Sequence, residues 1–173
     1  MESQYTITTA RQEHVTALSE IELSAAVLLR GHAPESVLRE FTPERQLREA
    51  QQVGRLWVAL AGETPVGFAL VEMLAHDLPH LQEIDVAPQH GRRGLGTALV
   101  RAVCDWAARS GFRELTLTTF RLVPWNMPFY ARMGFEEILP DELRSEIRSV
   151  LNDEADRGLD PAARVAMIYR VRR

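Results

Sequence analysis

The feature that most constrains the fold is an apolar strand followed by a proline, a basic glycine-rich turn and an amphipathic helix, over residues 84–99. The turn contains three glycines and two arginines, Gly91, Arg92, Arg93, Gly94 and Gly96. Glycine permits backbone angles that a Cβ would forbid, so successive amide N–H groups can converge on one point. Those amides, the positive end of the helix dipole and the arginines suit a phosphate or pyrophosphate. The alternative is an ordinary strand-to-helix connection with exposed arginines.

Two common phosphate-binding motifs do not match this stretch. A dinucleotide fingerprint needs glycine or alanine where Leu99 stands, and an acidic residue on a second strand about 20 residues later, which we do not find. A P-loop needs a lysine before the serine or threonine, and Gly96-Thr97 has none. The sequence therefore argues against a Rossmann-type or nucleoside triphosphate site.

The stretch resembles the acetyl-coenzyme A signature of the Gcn5-related N-acetyltransferase (GNAT) superfamily, in which Gln/Arg-x-x-Gly-x-Gly/Ala follows a Val-x-Pro strand end. Val86, Pro88, Gly94 and Gly96 occupy matching positions, whereas the Gln/Arg position falls on Gly91. The resemblance implies that acetyl-CoA is the cosubstrate, held chiefly through main-chain amides. The implied coenzyme-binding residues here are Ile84, Asp85, Val86, Gly91, Arg92, Arg93, Gly94, Leu95, Gly96 and Thr97.

Residues 125–135, with the sequence WNMPFYARMGF, resemble a shortened form of a later motif of the same family, Asn-x-x-x-x-x-Tyr-x-x-x-Gly-Phe. Asn126 precedes Tyr130 by four positions, which on a helix puts both on one face. An isolated tyrosine would be interpreted as a core aromatic residue with a satisfied hydroxyl. The resemblance implies instead that Asn126 and Tyr130 bind the coenzyme and that Tyr130 protonates the departing thiolate.

Apolar periodicity predicts alternating strands and helices. The predicted strands are 5–8, 56–61, 65–74, 80–86, 114–120 and 164–171, and the predicted helices are 13–29, 43–52, 95–109 and 125–133. We expect the α/β class, more closely an α+β mixed sheet: a central, mostly antiparallel sheet with helices on both faces. One GNAT-like domain is expected over residues 1–173, with its core at about 5–170.

An added helix is predicted over about 141–157, with Asp141 as its N-cap and Gly158 at its end. Its few apolar positions favour a solvated surface helix that spaces two strands. The alternative is a lid or a dimer contact near the acceptor site.

Composition narrows the function further. The net charge is −4, and the sequence contains no run of five or more like charges. Nothing in the charge pattern therefore indicates nucleic-acid binding. No stretch reaches the length of about 18 apolar residues that a membrane span needs, so we expect a cytoplasmic protein without a membrane partner. No metal site is expected, because Pro79 keeps His76 and His80 from sharing a helix. Homodimers are common in the family that the chain resembles, so a homodimer is possible.

The predicted function is transfer of an acetyl group from acetyl-CoA to a primary amine of a small molecule, by direct attack. Alternatives are a protein lysine or N-terminal acetyltransferase and a noncatalytic acetyl-CoA sensor. The resemblance implies that the main-chain amide of Val86, or of a neighbour, polarises the thioester carbonyl. It also places the acceptor site at residues 31–42 and 120–125.

Glu83 is the predicted general base. His80, Asp85 and a chain of water molecules remain alternative candidates for that role. Strand alternation puts Glu83 and Asp85 on one face and His80 and Gln82 on the other, unless a bulge intervenes.

Overall fold

The computed structural model describes residues 5–172 and contains one seven-stranded sheet. Its strands are β1 (Tyr5–Thr9), β2 (Leu56–Ala61), β3 (Thr64–Ala75), β4 (Leu78–Val86), β5 (Glu114–Phe120), β6 (Phe135–Glu137) and β7 (Arg164–Arg170). The strand order is β1-β2-β3-β4-β5-β7-β6, and every neighbouring pair is antiparallel except β4 and β5. The expected mixed, mostly antiparallel sheet is confirmed.

Six α-helices and four short 3-10 helices surround this sheet in the described part of the chain. The α-helices are α1 (Leu18–Ala26), α2 (Glu35–Leu38), α3 (Glu44–Gln52), α4 (Leu95–Arg109), α5 (Met127–Arg132) and α6 (Ser145–Asp156). The 3-10 helices are Gln12–Ala17, Val27–Leu29, Pro88–His90 and Pro161–Ala163. Helices α4 and α5 pack on one face of the sheet, and α1, α3 and α6 pack on the other.

The two faces have separate cores. Helix α4 places Leu95, Leu99 and Val103 on one stripe, because these positions recur at intervals of four residues, and the stripe packs against Val71 and Leu117 of the sheet. On the opposite face, α1 and α3 pack Leu18 and Leu47 against Phe68 and Leu70. Burying such side chains contributes about 1.5–3 kcal/mol each, which fixes both helix layers on the sheet.

Strands β4 and β5 pair in parallel at His80 and Thr116, and their later residues form opposite walls of a cavity. On β4 the wall comprises residues 81–86, and on β5 it comprises residues 117–120. The sheet therefore opens toward the carboxyl ends of these two strands, and the space lies directly before the glycine-rich turn.

Several predicted elements need correction. The helix predicted over 13–29 is α1 flanked by 3-10 turns. The helix predicted over 43–52 is α3, which begins one residue later because Pro43 is its N-cap, and the preceding Thr42 donates from both its amide and its hydroxyl to Glu22. Helix α6 has Arg144 rather than Asp141 at its N-cap, and the Arg144 guanidinium is bound to Asp77.

Helix α6 packs one side on the sheet and leaves the other side exposed. Its buried residues are Ile147, which packs against Leu78 and Ala166, and Glu154. Gly158 does end it, with a φ of 101°. Helix α2 was not predicted, since it is too short to produce a periodic pattern of its own.

Candidate active site

A cavity of about 950 Å³ lies between the opened strands β4 and β5 and the amino end of α4. The predicted residues that line it are Glu83, Ile84, Asp85, Val86, Gly91, Arg92, Gly94, Leu95, Gly96, Thr97, Asn126 and Tyr130. Arg93 is not among the lining residues, and its guanidinium carbon lies 5.8 Å from the centre of the Tyr5 ring. Both sequence motifs therefore meet at one cavity.

The glycine-rich turn offers unsatisfied amides to this cavity. The N-cap Gly94 has a φ of 76°, a left-handed conformation that suits glycine. Ala98 donates to the Gly94 carbonyl at 3.0 Å, so the amides of the three preceding helical residues, Leu95 to Thr97, have no acceptor one turn back. A Cβ on Gly96 would meet only Phe129, at 3.7 Å. Space is therefore left in front of these amides, where an anionic group fits.

Tyr130 brings a protonated phenol to the cavity. Its ring is 7% exposed and packs edge-on against Phe129 and Phe135. Burial, with the nearby charges of Glu83 and Asp85, raises the pKa of the Tyr130 phenol well above its usual value. Its hydroxyl has no hydrogen-bond partner within residues 5–172. The group is thus a proton donor near neutral pH, and its donor is available to a ligand.

Asn126 lines the cavity from a position different from the one predicted. It is the N-cap of α5, with a φ of −111° and a ψ of −100°, so it does not share a helical face with Tyr130. Pro128 accounts for this placement, because proline is accepted only in the first turn of a helix. The main chain links the two residues instead, and the Tyr130 amide donates to the Asn126 carbonyl at 3.1 Å.

Three carboxyl groups, those of Glu22, Glu83 and Asp85, face the cavity from α1 and β4. The pKa of each is raised by burial and, for Glu22 and Asp85, by the charge of Glu83 as well, and that of Glu22 reaches about 7. Glu22 accepts hydrogen bonds from the Thr42 amide at 2.7 Å and the Thr42 hydroxyl at 3.2 Å. Asp85 Oδ2 is buried with no hydrogen-bond partner in the described part of the chain. The cluster therefore stays partly protonated at a pH where isolated carboxyl groups are fully ionised. A carboxyl group whose pKa is raised toward neutral pH is a stronger base than a free one, which suits a general base.

A bulge in β4 brings His80 to the same side as Glu83. Leu70 pairs with Glu83 and Val71 pairs with Leu81, so Gln82 is the extra residue. Both His80 and Glu83 line a second cavity on the α1 and α6 side of the sheet. This is the exception for which the sequence-based prediction allowed: the inserted residue reverses the alternation, so the strand does not separate His80 from Glu83.

His80 is a poor proton acceptor at this position. It is 3% exposed, and burial lowers its pKa to about 4. Its Nδ1 lies 2.9 Å from the Thr116 hydroxyl, which holds the ring against β5. His76 is almost fully exposed beside Asp77, so the two histidines do not converge. In residues 5–172 no group of three or more metal-ligating side chains is arranged to hold a metal ion.

The predicted acceptor segments contribute to the wall of the first cavity. Ala33, Val37 and Leu38 line it from the segment around α2, and Phe120 and Trp125 line it from the segment that follows β5. The His32 and Trp125 rings pack edge to face with their centres 6.0 Å apart, which joins the two segments at the rim.

Two acidic residues of the site were missed in the sequence. Glu22 lies on α1, and Glu154 lies on α6, where it accepts from Arg164 at 2.9 Å and from the Thr118 hydroxyl at 2.5 Å. For Glu154 a signal exists, because it falls seven positions after the apolar Ile147 and so shares its helical face. For Glu22 no local signal exists, since its neighbours in space come from other parts of the chain.

The chain is similar in sequence to known acetyltransferases. The model of the acetyltransferase (GNAT) family matches residues 16–135, which is more than half of the chain. Mouse N-acetyltransferase family 8 member 3 is 36% identical over 80 residues, covering 46% of this chain and 34% of that protein. The chain thus spans about a third of the length of this curated relative. No helix within residues 5–172 is both long enough and apolar enough to cross a bilayer.

Solved structures show the same fold. PaiA N-acetyltransferase from Thermoplasma acidophilum, in complex with coenzyme A, superposes with a TM-score of 0.73 at 16% identity, covering 96% of this chain and 98% of that one. The ribosomal-protein-S18-alanine N-acetyltransferase from Escherichia coli gives a TM-score of 0.67 at 19% identity, covering 98% and 95%. With the family model matched across both motifs, the chain belongs to the acetyltransferase (GNAT) family.

Proposed function

We propose that this protein transfers the acetyl group of acetyl-CoA to a primary amine of a small molecule. The observation that carries the proposal is the meeting, in one cavity, of the unsatisfied α4 amides, the protonated Tyr130 hydroxyl and the carboxyl group of Glu83. A solved structure of the same fold is a complex with coenzyme A, which supports the choice of donor.

The residues of the turn fit the coenzyme. The α4 amides and the exposed Arg92 at the mouth of the cavity would hold its pyrophosphate. The remaining implied residues, Ile84, Asp85 and Val86, form the wall that leads from the turn toward Glu83. When bound, acetyl-CoA supplies an acyl thioester whose C–S bond breaks as the amine nitrogen bonds to the acyl carbon, releasing coenzyme A as its thiol.

Side chains of the cavity would accept and donate the protons that acetyl transfer requires. An alkylammonium with a pKa of about 10 must lose a proton before its nitrogen can attack. Glu83, with its raised pKa and its neighbours Glu22 and Asp85, would accept that proton. Tyr130 would give its proton to the sulfur and regain one from the nitrogen as the amide forms.

A broad amine screen with acetyl-CoA and a free-thiol readout tests the proposal. We expect thiol release with at least one class of small primary amine, and coenzyme binding measurable by calorimetry. Coenzyme binding without thiol release from any amine or peptide would identify a sensor and overturn the transferase proposal. Acetylation confined to protein lysines or N-termini would replace the small molecule with a protein acceptor.

We also propose a cytoplasmic location and no nucleic-acid or membrane partner. The net charge of −4 and the absence of a basic run support the exclusion of nucleic acid. A homodimer stays a prediction, which sedimentation of the purified protein would test.

A further inference from the structure

The second cavity, about 680 Å³ in volume, adjoins the first on the α1, α3 and α6 side of the sheet. The two cavities share several lining residues, among them Glu22, Glu83 and Thr118. A ligand with one end at Glu83 can therefore extend into the second cavity. What the second cavity can bind follows from the groups that line it.

Acidic groups dominate the lining of the second cavity. Seven carboxyl groups face it, those of Glu22, Glu40, Glu72, Glu83, Glu146, Asp153 and Glu154. The one arginine that lines it, Arg157, is bound to Glu40. Glu146 and Glu154 are paired with Arg144 and Arg164. Glu22, Glu72, Glu83 and Asp153 have no ion-pair partner among residues 5–172.

His80 supplies an independent observation that points to the same kind of ligand. The Thr116 hydroxyl has one hydrogen, and it donates that hydrogen to the Pro79 carbonyl at 3.4 Å. The same hydroxyl lies 2.9 Å from His80 Nδ1, and in the tautomer in which Nδ1 donates to Thr116 Oγ1 the other ring nitrogen, Nε2, is an acceptor; a ligand N–H bound at Nε2 selects that tautomer. Nε2 has no partner in the described part of the chain, although the side chain is 97% buried and lines the cavity. A ring nitrogen that has no protein partner and belongs to a side chain lining a cavity is a place for a ligand N–H.

We propose that the acceptor is an aliphatic diamine or polyamine, whose distal ammonium binds in the second cavity among His80, Glu72 and Asp153 while the attacking amine lies at Glu83. This inference rests on the proposed acetyl transfer. An ammonium brings three donors and a positive charge to a site that offers acceptors and uncompensated negative charge. His80 and Glu83 are three residues apart on β4, so the two nitrogens would lie at most about 10 Å apart.

Acceptors of matched length test this proposal. We would compare 1,6-diaminohexane with 1-aminohexane, which has the same carbon chain without the distal charge, by kcat/KM with saturating acetyl-CoA. The diamine is expected to be preferred by about tenfold, the combined effect of two partly exposed charge pairs. Glu72→Gln/Asp153→Asn should reduce that preference to about twofold or less, because it removes both charges. Asp156→Asn, on the exposed side of α6, serves as the control and should keep the preference.

The outcomes separate this proposal from the proposed function. Equal kcat/KM for the two amines, or an unchanged preference in the double variant, overturns the distal site and leaves acetyl transfer standing. Thiol release from neither amine or any other acceptor overturns the transferase. In that case, calorimetric titration of the protein with each amine still decides whether the cavity binds a second ammonium, since only the diamine should bind measurably.

Discussion

Tyr130 combines a buried ring with a hydroxyl that no residue in the range 5–172 binds, and this pairing predicts a specific kinetic effect. In Tyr130→Phe the ring and its packing remain, while the proton donor is lost. We expect kcat to fall on the order of 100-fold, the usual contribution of a positioned acid. The Kd for coenzyme A should change by less than about threefold, because no protein hydrogen bond is broken. Steady-state kinetics and calorimetry measure the two effects.

Phe129→Leu is the matched control for Tyr130→Phe, because it alters the neighbouring aromatic ring and keeps the phenol. It should lower kcat far less than the loss of the hydroxyl. An unchanged turnover in Tyr130→Phe, with a proven acceptor, would remove this residue as the acid.

Glu83 predicts a pH dependence. Burial raises its pKa, so the carboxyl group becomes a base only as the pH rises through that pKa, and kcat/KM should rise with pH over the same interval. Glu83→Gln should remove this rising limb and lower the plateau by about 100-fold. Rate profiles from pH 5 to 9 for both proteins provide the measurement.

A limb that survives in Glu83→Gln would assign the base to Glu22 or Asp85. The pKa of Glu22 is raised to about 7, and that of Asp85 lies well above its usual value. His80 cannot account for such a limb, because its pKa of about 4 leaves it neutral throughout the range.

At the scale of the element, the amino end of α4 depends on the absence of a side chain at Gly96. Gly96→Val places a β-branched group in front of the unsatisfied amides while meeting only Phe129 in the protein itself. Coenzyme affinity should fall by at least about tenfold, since contacts with those amides are lost. Ala108→Val adds the same group on the exposed side of α4 and should leave the affinity unchanged. Equal calorimetric affinities for the two variants would refute the anion site.

A nearly buried ion pair joins Glu154 of α6 to Arg164 of β7. The Glu154 side chain is 7% exposed and the Arg164 side chain is 10% exposed. Glu154→Gln leaves the guanidinium without its charged partner, and we expect a loss of about 3 kcal/mol in the free energy of unfolding. Glu49→Gln breaks the exposed pair with Arg45 and should cost less than about 0.5 kcal/mol. Urea denaturation compares them, and similar losses would show that α6 does not depend on the buried pair.

Helices α4 and α6 show how much of the secondary structure could be predicted from the sequence. Helix α4 was predicted with its observed bounds, because an apolar stripe, a preceding glycine and a following glycine all agree. Helix α6 was placed too early, since Asp141 is a good cap by residue type while the Arg144 contact with Asp77 joins positions 67 residues apart. A cap predicted from neighbouring residues takes no account of contacts with distant residues, and here the helix begins after Arg144, the residue that binds Asp77.

At the scale of the whole molecule, the site depends on features without a local signature. The opening between β4 and β5 and the bulge at Gln82 are properties of strand pairing, and the sequence only allowed for a bulge. Glu22 approaches β4 because α1 packs across the sheet, 61 positions earlier in the chain than Glu83. The family motifs identified the coenzyme side of the cavity, whereas the acidic side is visible only in the folded chain.

That assembly of carboxyl groups should make the stability of the fold depend on pH. The pKa of Glu22 rises from 4.5 to about 7 on folding. Between these values the unfolded chain has released a proton that the native chain still holds, so Glu22 lowers the stability progressively as the pH rises and does so fully above pH 7. The penalty is on the order of 1–3 kcal/mol, given partial exposure and the coupling to Glu83.

Glu22→Gln removes this titration and leaves the shape of α1 unchanged. The difference in the free energy of unfolding, variant minus original protein, should increase by about 1–3 kcal/mol from pH 5 to pH 8. Urea denaturation at the two pH values measures the gain, and any contribution of His80 is common to both proteins and cancels in the comparison. Glu20→Gln, an exposed substitution on the same helix, is the control and should show no such gain. A pH-independent difference for Glu22→Gln would mean that the carboxyl groups do not share one low-dielectric site, and the argument for a poised base would lose its physical basis.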